Sequence, residues 1–216
     1  MAENNAINKQ TEDLIVNKAS GDPFVNFQIA STDEFVIGVD DDDTDSLKIN
    51  QGGASPSAGT NTWKMTAAGE RIMVLQPASK AHLGTQATNV TGDGTLYTVI
   101  FNTEVYDQNA DYNNATGTFT APISGRYMIN ASAYFSGLGA GNTTCNLRVV
   151  TTDFTYISYY QAGLCRVGTT SVMHASIFAN LDATDTASII ISAAGGALVV
   201  DILASASSFF DCTLIC

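Results

Sequence analysis

Beyond residue 20, apolar side chains in this chain recur at every second position, in short runs divided by clusters of Gly, Asp, Asn, Ser and Thr. Successive side chains of a strand point to opposite faces, so a period of two predicts half-buried strands, whereas a helix needs a period near 3.6. Val25, Phe27 and Ile29 share one face; Phe35, Ile37 and Val39 share another; Leu47 with Ile49 and Trp63 with Met65 follow. Turn signals separate these runs at Ser31-Thr32-Asp33, over residues 40–46 and over residues 52–61. They predict a meander of strands of about three to five residues. From Lys80 onward the strands are longer. Tyr97, Val99 and Phe101 alternate, as do Tyr127, Ile129, Ala131, Ala133 and Phe135, and then Cys145, Leu147 and Val149. Further runs cover 154–160, 172–179, 188–192, 198–203 and 209–216. Roughly eight to ten strands with no helical period predict a sandwich, a barrel or a jelly roll. The expected fold class is all-β.

Each strand between residues 21 and 77 offers only two or three core side chains. One copy could hardly offset the entropy of ordering about 55 residues. Wound with two other copies around an axis, the same side chains would share one core, so this stretch is expected to be a trimeric β-hairpin shaft. Gln76-Pro77-Ala78-Ser79 is the junction, because Pro77 cannot donate to a ladder and restricts the residue before it. Residues 78–216 then form the larger head. Residues 1–20 are polar apart from Leu14-Ile15-Val16. They read either as a frayed terminus or as an attachment arm that orders on a larger assembly.

Charged residues make up only 14% of the chain against 45% hydrophobic. The usual charged share is roughly 25%, so much of the surface is expected to be covered, most simply by other copies. The net charge of −12 argues against phosphate-backbone binding, which needs Lys and Arg, and hence against a nucleic-acid partner. The opening residues lack the basic start and apolar core of a signal peptide, and no apolar run reaches the ~18 residues of a membrane span. The expectation is a protein made in the cytoplasm of a host cell, without membrane insertion. Cys145, Cys165, Cys212 and Cys216 form no Cys-x-x-Cys pair and are expected to be buried thiols.

The stretch FNTEVYDQNADYNNATGTFTAPISGRY, from Phe101 to Tyr127, carries a specific spacing. Phe101, Asn102, Tyr106, Asp107, Gly117, Phe119, Pro122, Gly125 and Tyr127 match the pattern of complement 1q-like heads, and the region resembles that family and the tumour-necrosis-factor-like jelly rolls. The run from Phe209 to Leu214 looks like the family's last strand. Two departures stand out: Ile129 where the family usually has Phe, and Cys212 where it has Gly. The resemblance implies a ten-stranded-type jelly-roll head that forms homotrimers and binds partners through exposed loops without catalysis. The front half, GDPFVNFQIASTDEFVIGVDDDDTDSLKI and KMTAAGERIMVLQPA, resembles the shaft and shaft-to-head junction of phage tail or head fibres. The Gly-x-y repeat of a collagen stalk is absent.

Candidate sites follow from residue type. The run Asp40, Asp41, Asp42, Asp43 and Asp45 could hold Ca²⁺, but it lacks the Gly and closing Glu of an EF-hand loop, and a solvated turn is the simpler reading. No other cofactor is expected. His82 and His174 lie in no hydrolase motif and are expected to be structural. In DFTYISYYQ, alternation places Phe154, Tyr156 and Tyr160 on one face and Ile157 with Tyr159 on the other. One set packs inward and the other could present an aromatic platform to a sugar or protein. Exposed loops on a rigid scaffold also carry binding, which adds Leu138, Asn142 and Arg166 as candidate receptor contacts. The function expected is that of a bacteriophage tail or head fibre on the virion surface. It would be anchored to other virion proteins through its arm and would present a trimeric head to a host-surface glycan or protein. The alternatives are a capsid or tail decoration protein with no host receptor and, behind it, a glycan-degrading enzyme.

Overall fold

A computed structural model describes residues 16–161 and 168–216. The chain divides into two compact units, residues 1–75 and residues 76–216. The expected attachment arm, residues 1–20, lies largely outside the described residues, as do Cys165 and Arg166.

The first unit is one antiparallel meander, β1 (Phe24–Ile29), β2 (Thr32–Asp40), β3 (Ser46–Gln51), β4 (Thr60–Met65) and β5 (Arg71–Ile72), with the strands side by side in chain order. Most of these strands are longer than expected, because the turns are tighter than their composition suggests. Ala30 and Ser31 both take positive φ, 50° and 66°, and so close β1 onto β2 in two residues. Tight hairpins of this hand normally use Asn and Gly at such positions; the expected turn at Ser31-Thr32-Asp33 is therefore shifted back by one residue, and Thr32 and Asp33 open β2. Cross-strand pairs Val25↔Ile37, Phe27↔Phe35, Val39↔Leu47, Ile37↔Ile49, Ile49↔Trp63 and Leu47↔Met65 place the apolar side chains on one face. The opposite face buries Val36, Asp40, Ser46 and Asn50. There the Asn50 amide donates to the carbonyls of Pro56 and Ala58 at 2.6 and 2.8 Å and ties down the loop between β3 and β4.

The second unit is a two-layered β-sandwich. One layer runs β10 (Tyr112–Asn113), β11 (Thr118–Thr120), β16 (Thr186–Ala194), β13 (Thr144–Thr151), β14 (Thr155–Gln161), with β8 (Tyr97–Thr98) also on β16. The other runs β7 (Ala87–Thr91), β17 (Val200–Ile202), β12 (Gly125–Ser136), β18 (Ser205–Leu214), β6 (Ala78–Leu83), β9 (Thr103–Asp107), with β15 (Ser171–Leu181) on the far edge of β12. Alternation along β12 sends Tyr127, Ile129, Ala131, Ala133 and Phe135 into the core, and β13 and β16 answer with Leu147, Val149, Ile189 and Ile191.

The signature residues account for much of this packing. Phe101, Phe119 and Tyr127 are buried with Phe210; Tyr112 stacks on Phe210 at 5.3 Å, and Phe119 meets Tyr127 edge-on at 5.6 Å. Such pairs add about 0.5–1.5 kcal/mol each beyond the area they bury. The Tyr127 hydroxyl donates to the Ile123 carbonyl at 2.7 Å and pins the turn before β12. The Asp107 carboxylate accepts from the backbone N–H groups of Asp111 and Tyr112, both at 3.0 Å. Asn102 accepts from the Gly84 N–H at 2.8 Å. Gly117 has φ +71°, and a Cβ there would stand 2.7 Å from the Val99 carbonyl oxygen, so both conformation and space require glycine.

Candidate functional site

Three surfaces are left uncovered by this architecture. The first is the apolar face of the five-stranded sheet. Phe27 and Phe35 are 50% and 45% exposed, Ile29 and Ile37 are exposed beside them, and no second layer in the unit covers Leu47, Ile49, Trp63 or Met65 fully. Contiguous apolar patches of this kind on a soluble protein mark an interaction surface.

The Asp-rich turn lies at the end of the same sheet, and its five carboxylates do not converge. Asp40 is buried and pairs with Lys48 Nζ at 2.5 Å; Asp43 pairs with Lys48 at 2.8 Å and Lys64 at 2.7 Å. The two lysines hold the Asp43 carboxyl below the usual carboxylate range. Asp42 and Asp45 are exposed. Asp41 instead lies with Asp40 beside Asp22, a residue the sequence reading did not select, with carboxylate oxygens within 4.8 Å of one another. Contact with Asp22 raises the Asp41 carboxyl, while the Asp41 N–H lowers that of Asp22. The expected five-aspartate ligand set is therefore narrowed: of the run only Asp40 and Asp41 share a carboxylate cluster, with Asp22, while Asp43 is held by Lys48 and Lys64.

The second surface is the outer face of the sheet built on β12. In one row across it stand Tyr106, Lys80, Asp211, Asn130 and Ser176; the Ser176 hydroxyl donates to Asn130 at 2.7 Å, and Lys80 Nζ lies 5.0 Å from the centre of the Phe209 ring. In the next row His82 and His174 are separated by Phe209 and Ser132, which puts them about 14 Å apart at a strand spacing near 4.8 Å. They form no catalytic pair. At the edge, Phe178 is 67% exposed and joins Phe154, Tyr156, Arg126 and Ile215 around a groove of about 440 Å³.

The third surface is the outer face of the sheet carrying β14. Of the set that alternation puts on one face, Tyr156 and Tyr160 pack against the core but Phe154, just before β14, is exposed; Ile157 and Tyr159 face outward, with Tyr159 71% exposed. Tyr160 is structural as well: its hydroxyl donates to the His174 carbonyl at 2.6 Å and accepts from the His174 N–H at 2.9 Å. It thereby closes part of the open edge of β15. Leu138 is corrected as a contact residue, since it is 3% exposed and part of the core. Asn142 is also turned inward. Its amide donates to the Gly92 carbonyl at 2.9 Å and accepts from the Gly139 N–H at 2.8 Å, which locks the loops at that end of the sandwich. Of the cysteines, Cys145 and Cys212 are buried as expected, but Cys216 is exposed.

Residues 81–199 match the family model described as the C1q domain. The chain belongs to the C1q domain family. No curated protein sequence matches it. Among solved structures, the globular domain of the zebrafish complement 1qA protein is similar with a TM-score of 0.45 and 17% identity, covering 65% of this chain and 98% of that one. Murine APRIL is similar with a TM-score of 0.48, 10% identity, and 65% and 99% coverage. Eiger TNF from S. frugiperda has a TM-score of 0.48, 12% identity, and 65% and 93% coverage.

Within this C1q domain the two departures from the family pattern prove to be neighbours. Ile129 and Cys212 are paired directly across β12 and β18, and both are fully buried. The smaller side chain at one position and the larger one at the other fill the same stretch of core. Burial raises the Cys212 thiol well above its ordinary range, so it acts as a small hydrophobe.

Proposed function

We propose that this protein is a viral fibre, of a bacteriophage, in which residues 21–77 form a homotrimeric shaft and the C1q domain forms a trimeric receptor-binding or adhesive head. The observation that carries the reading is the uncovered apolar face of the five-stranded sheet. Ten side chains, Val25 to Met65, lie on one side of a single layer, and among the described residues no second sheet of their own unit covers them. Closing three such sheets on an axis removes that face from water and makes one core of three. The outer face around Asn130 and Phe209, together with the edge groove at Phe178, supports self-association of the head as well. Trimeric heads are the habit of the family this domain resembles. Binding rather than catalysis fits a surface on which the two histidines stand strands apart.

A rigid trimer binds through three weak sites at raised effective concentration. Light scattering on the purified chain tests the assembly: a stable mass near three times 22.7 kDa is expected. A folded monomer would overturn it. The virion role is tested by deleting residues 78–216. Intact particles that fail to adsorb to their host are expected, whereas particles that fail to assemble would favour a decoration protein.

A further inference from the structure

The outer face of β13, β14 and β16 carries a cation that the acidic head leaves unneutralised. Arg148 stands between Ile157 on β14 and Ile190 on β16; Asn146, one step along, stands between Tyr159 and Ser192. Among the described residues, the ion pairs involve only Lys48, Lys64, Asp40 and Asp43, so Arg148 has none. It is nevertheless fixed in place. Arg148 Nε donates to Asn146 Oδ1 at 2.8 Å, and the same oxygen accepts from Ser192 Oγ at 3.1 Å. Asn146 is itself 7% exposed, so the acceptor that orients the arginine is held by the sheet.

The bond to Asn146 directs the guanidinium along β13 towards the row occupied by Tyr159. Diagonal neighbours across antiparallel strands have Cβ atoms about 7–8 Å apart, within reach of an arginine and a tyrosine. With Nε occupied, the two Nη groups remain as a fork for a carboxylate, the geometry arginine pairs with best. The Tyr159 ring is largely exposed and, unlike Phe209 under Lys80, has no cation on its face among the described residues. A flat apolar ring with a polar tip suits the face of a pyranose. None of the residues in these two rows, nor Thr155, Val150 and Ser188 in the next, carries a carboxylate that would repel an anion.

We propose that Arg148, Asn146 and Tyr159 form a binding site for a sugar bearing a carboxylate, a uronic acid unit of a surface polysaccharide. The proposal rests on reading the head as a receptor-binding module and names the chemical class of its receptor. The site lies on the layer opposite to the face assigned to self-association, so three copies of it stay accessible on one trimer.

The test is calorimetry or ligand-observed NMR on the full chain with a glucuronate-containing oligosaccharide, its neutral glucose counterpart and glutarate. Binding of the acidic sugar in preference to both others is expected. Arg148→Met should weaken it at least about tenfold, the scale of a lost charge-assisted pair. Tyr159→Ala should weaken it several-fold while Tyr159→Phe leaves it unchanged, and unaltered melting of each variant separates lost contact from lost fold. Equal binding of the neutral sugar, equal binding of glutarate, or full affinity in Arg148→Met would each overturn the site. None of these results alters the native mass or the adsorption phenotype, which test the fibre reading separately.

Discussion

Removing the Lys48 ammonium should destabilise the first unit more than any other single charge change in it. Lys48 Nζ lies 2.5 Å from a carboxylate oxygen of Asp40, whose side chain is 4% exposed, and 2.8 Å from Asp43, which is 37% exposed and keeps Lys64 at 2.7 Å. In Lys48→Met the loss therefore falls on Asp40, left buried with one backbone donor, the Asp42 N–H at 3.1 Å. Breaking a buried pair from one side costs about 3–5 kcal/mol, and the remaining donor argues for the lower end. With a urea slope near 1–2 kcal/mol/M for so small a unit, the midpoint should fall by about 2 M. Trp63, the single tryptophan of the chain, lies on β4 and reports this unit alone. The measurement is urea denaturation followed by its emission, at one protein concentration because association adds to stability. Asp40→Asn in the Lys48→Met background should recover more than half of the loss, whereas Lys64→Met should shift the midpoint far less. Equal small shifts for the two lysines, or no recovery with Asn, would refute the account of Asp40 as a buried charge held by Lys48.

Replacing Ala30-Ser31 by Asn-Gly should raise the same midpoint by the equivalent of about 1 kcal/mol, since both residues sit at positive φ; a lowered midpoint would argue against the two-residue turn. In the head, Ile129→Phe should overpack the core by about 1–3 kcal/mol and Cys212→Gly should leave a void. The double variant should melt higher than the sum of the two losses allows, with additive losses refuting the compensation. Stability of the first unit should also decline as pH falls below 3.8. The Asp43 carboxyl is lowered by Lys48 and Lys64, so the unfolded chain takes up its proton first and the contribution is lost as pH drops through the folded value. Lysine-paired Asp43→Asn should flatten that decline in the Trp63 signal.

What could be read from the residues was what depends on period and on spacing within one segment. The alternation of β12 and β13 named the core side chains in order, and the stretch from Phe101 to Tyr127 pointed to the fold because its aromatic and glycine residues are required by local packing and turn geometry. Strand β6 escaped, since its inward positions are Ser79, Ala81 and Leu83, and two small side chains hide a period of two. Leu138 was misplaced for a similar reason: flanked by glycines it looks like a loop tip, yet the positive φ of Gly137 turns the chain back and buries it. The sites depended on register. Asp40 and Asp43 read as a ligand run until Lys48 and Lys64 arrive from β3 and β4, and Arg148 has no motif at all until β14 and β16 set Tyr159 and Ser192 around Asn146.

The two units differ in what association does for them. In the C1q domain, two layers enclose Phe101, Phe119, Tyr127, Phe135 and Phe210, so its core is complete within one copy and the uncovered Phe154 and Phe178 are a remainder at an edge. The unit from β1 to β5 has one layer, and its whole apolar face is that remainder. A single twisted sheet with an open face does not offset the ordering of its backbone, so on the proposed reading association is a condition of folding for the shaft and only a consequence of it for the head. Dilution should then separate them. Trp63 emission should shift to that of a solvated indole at a concentration where the near-ultraviolet signal of the head's tyrosines is still intact. Coincident loss of both signals would mean that the head also depends on its partners; a Trp63 signal indifferent to concentration would mean that the five-stranded sheet is stable alone, and the case for a shared shaft core would fall.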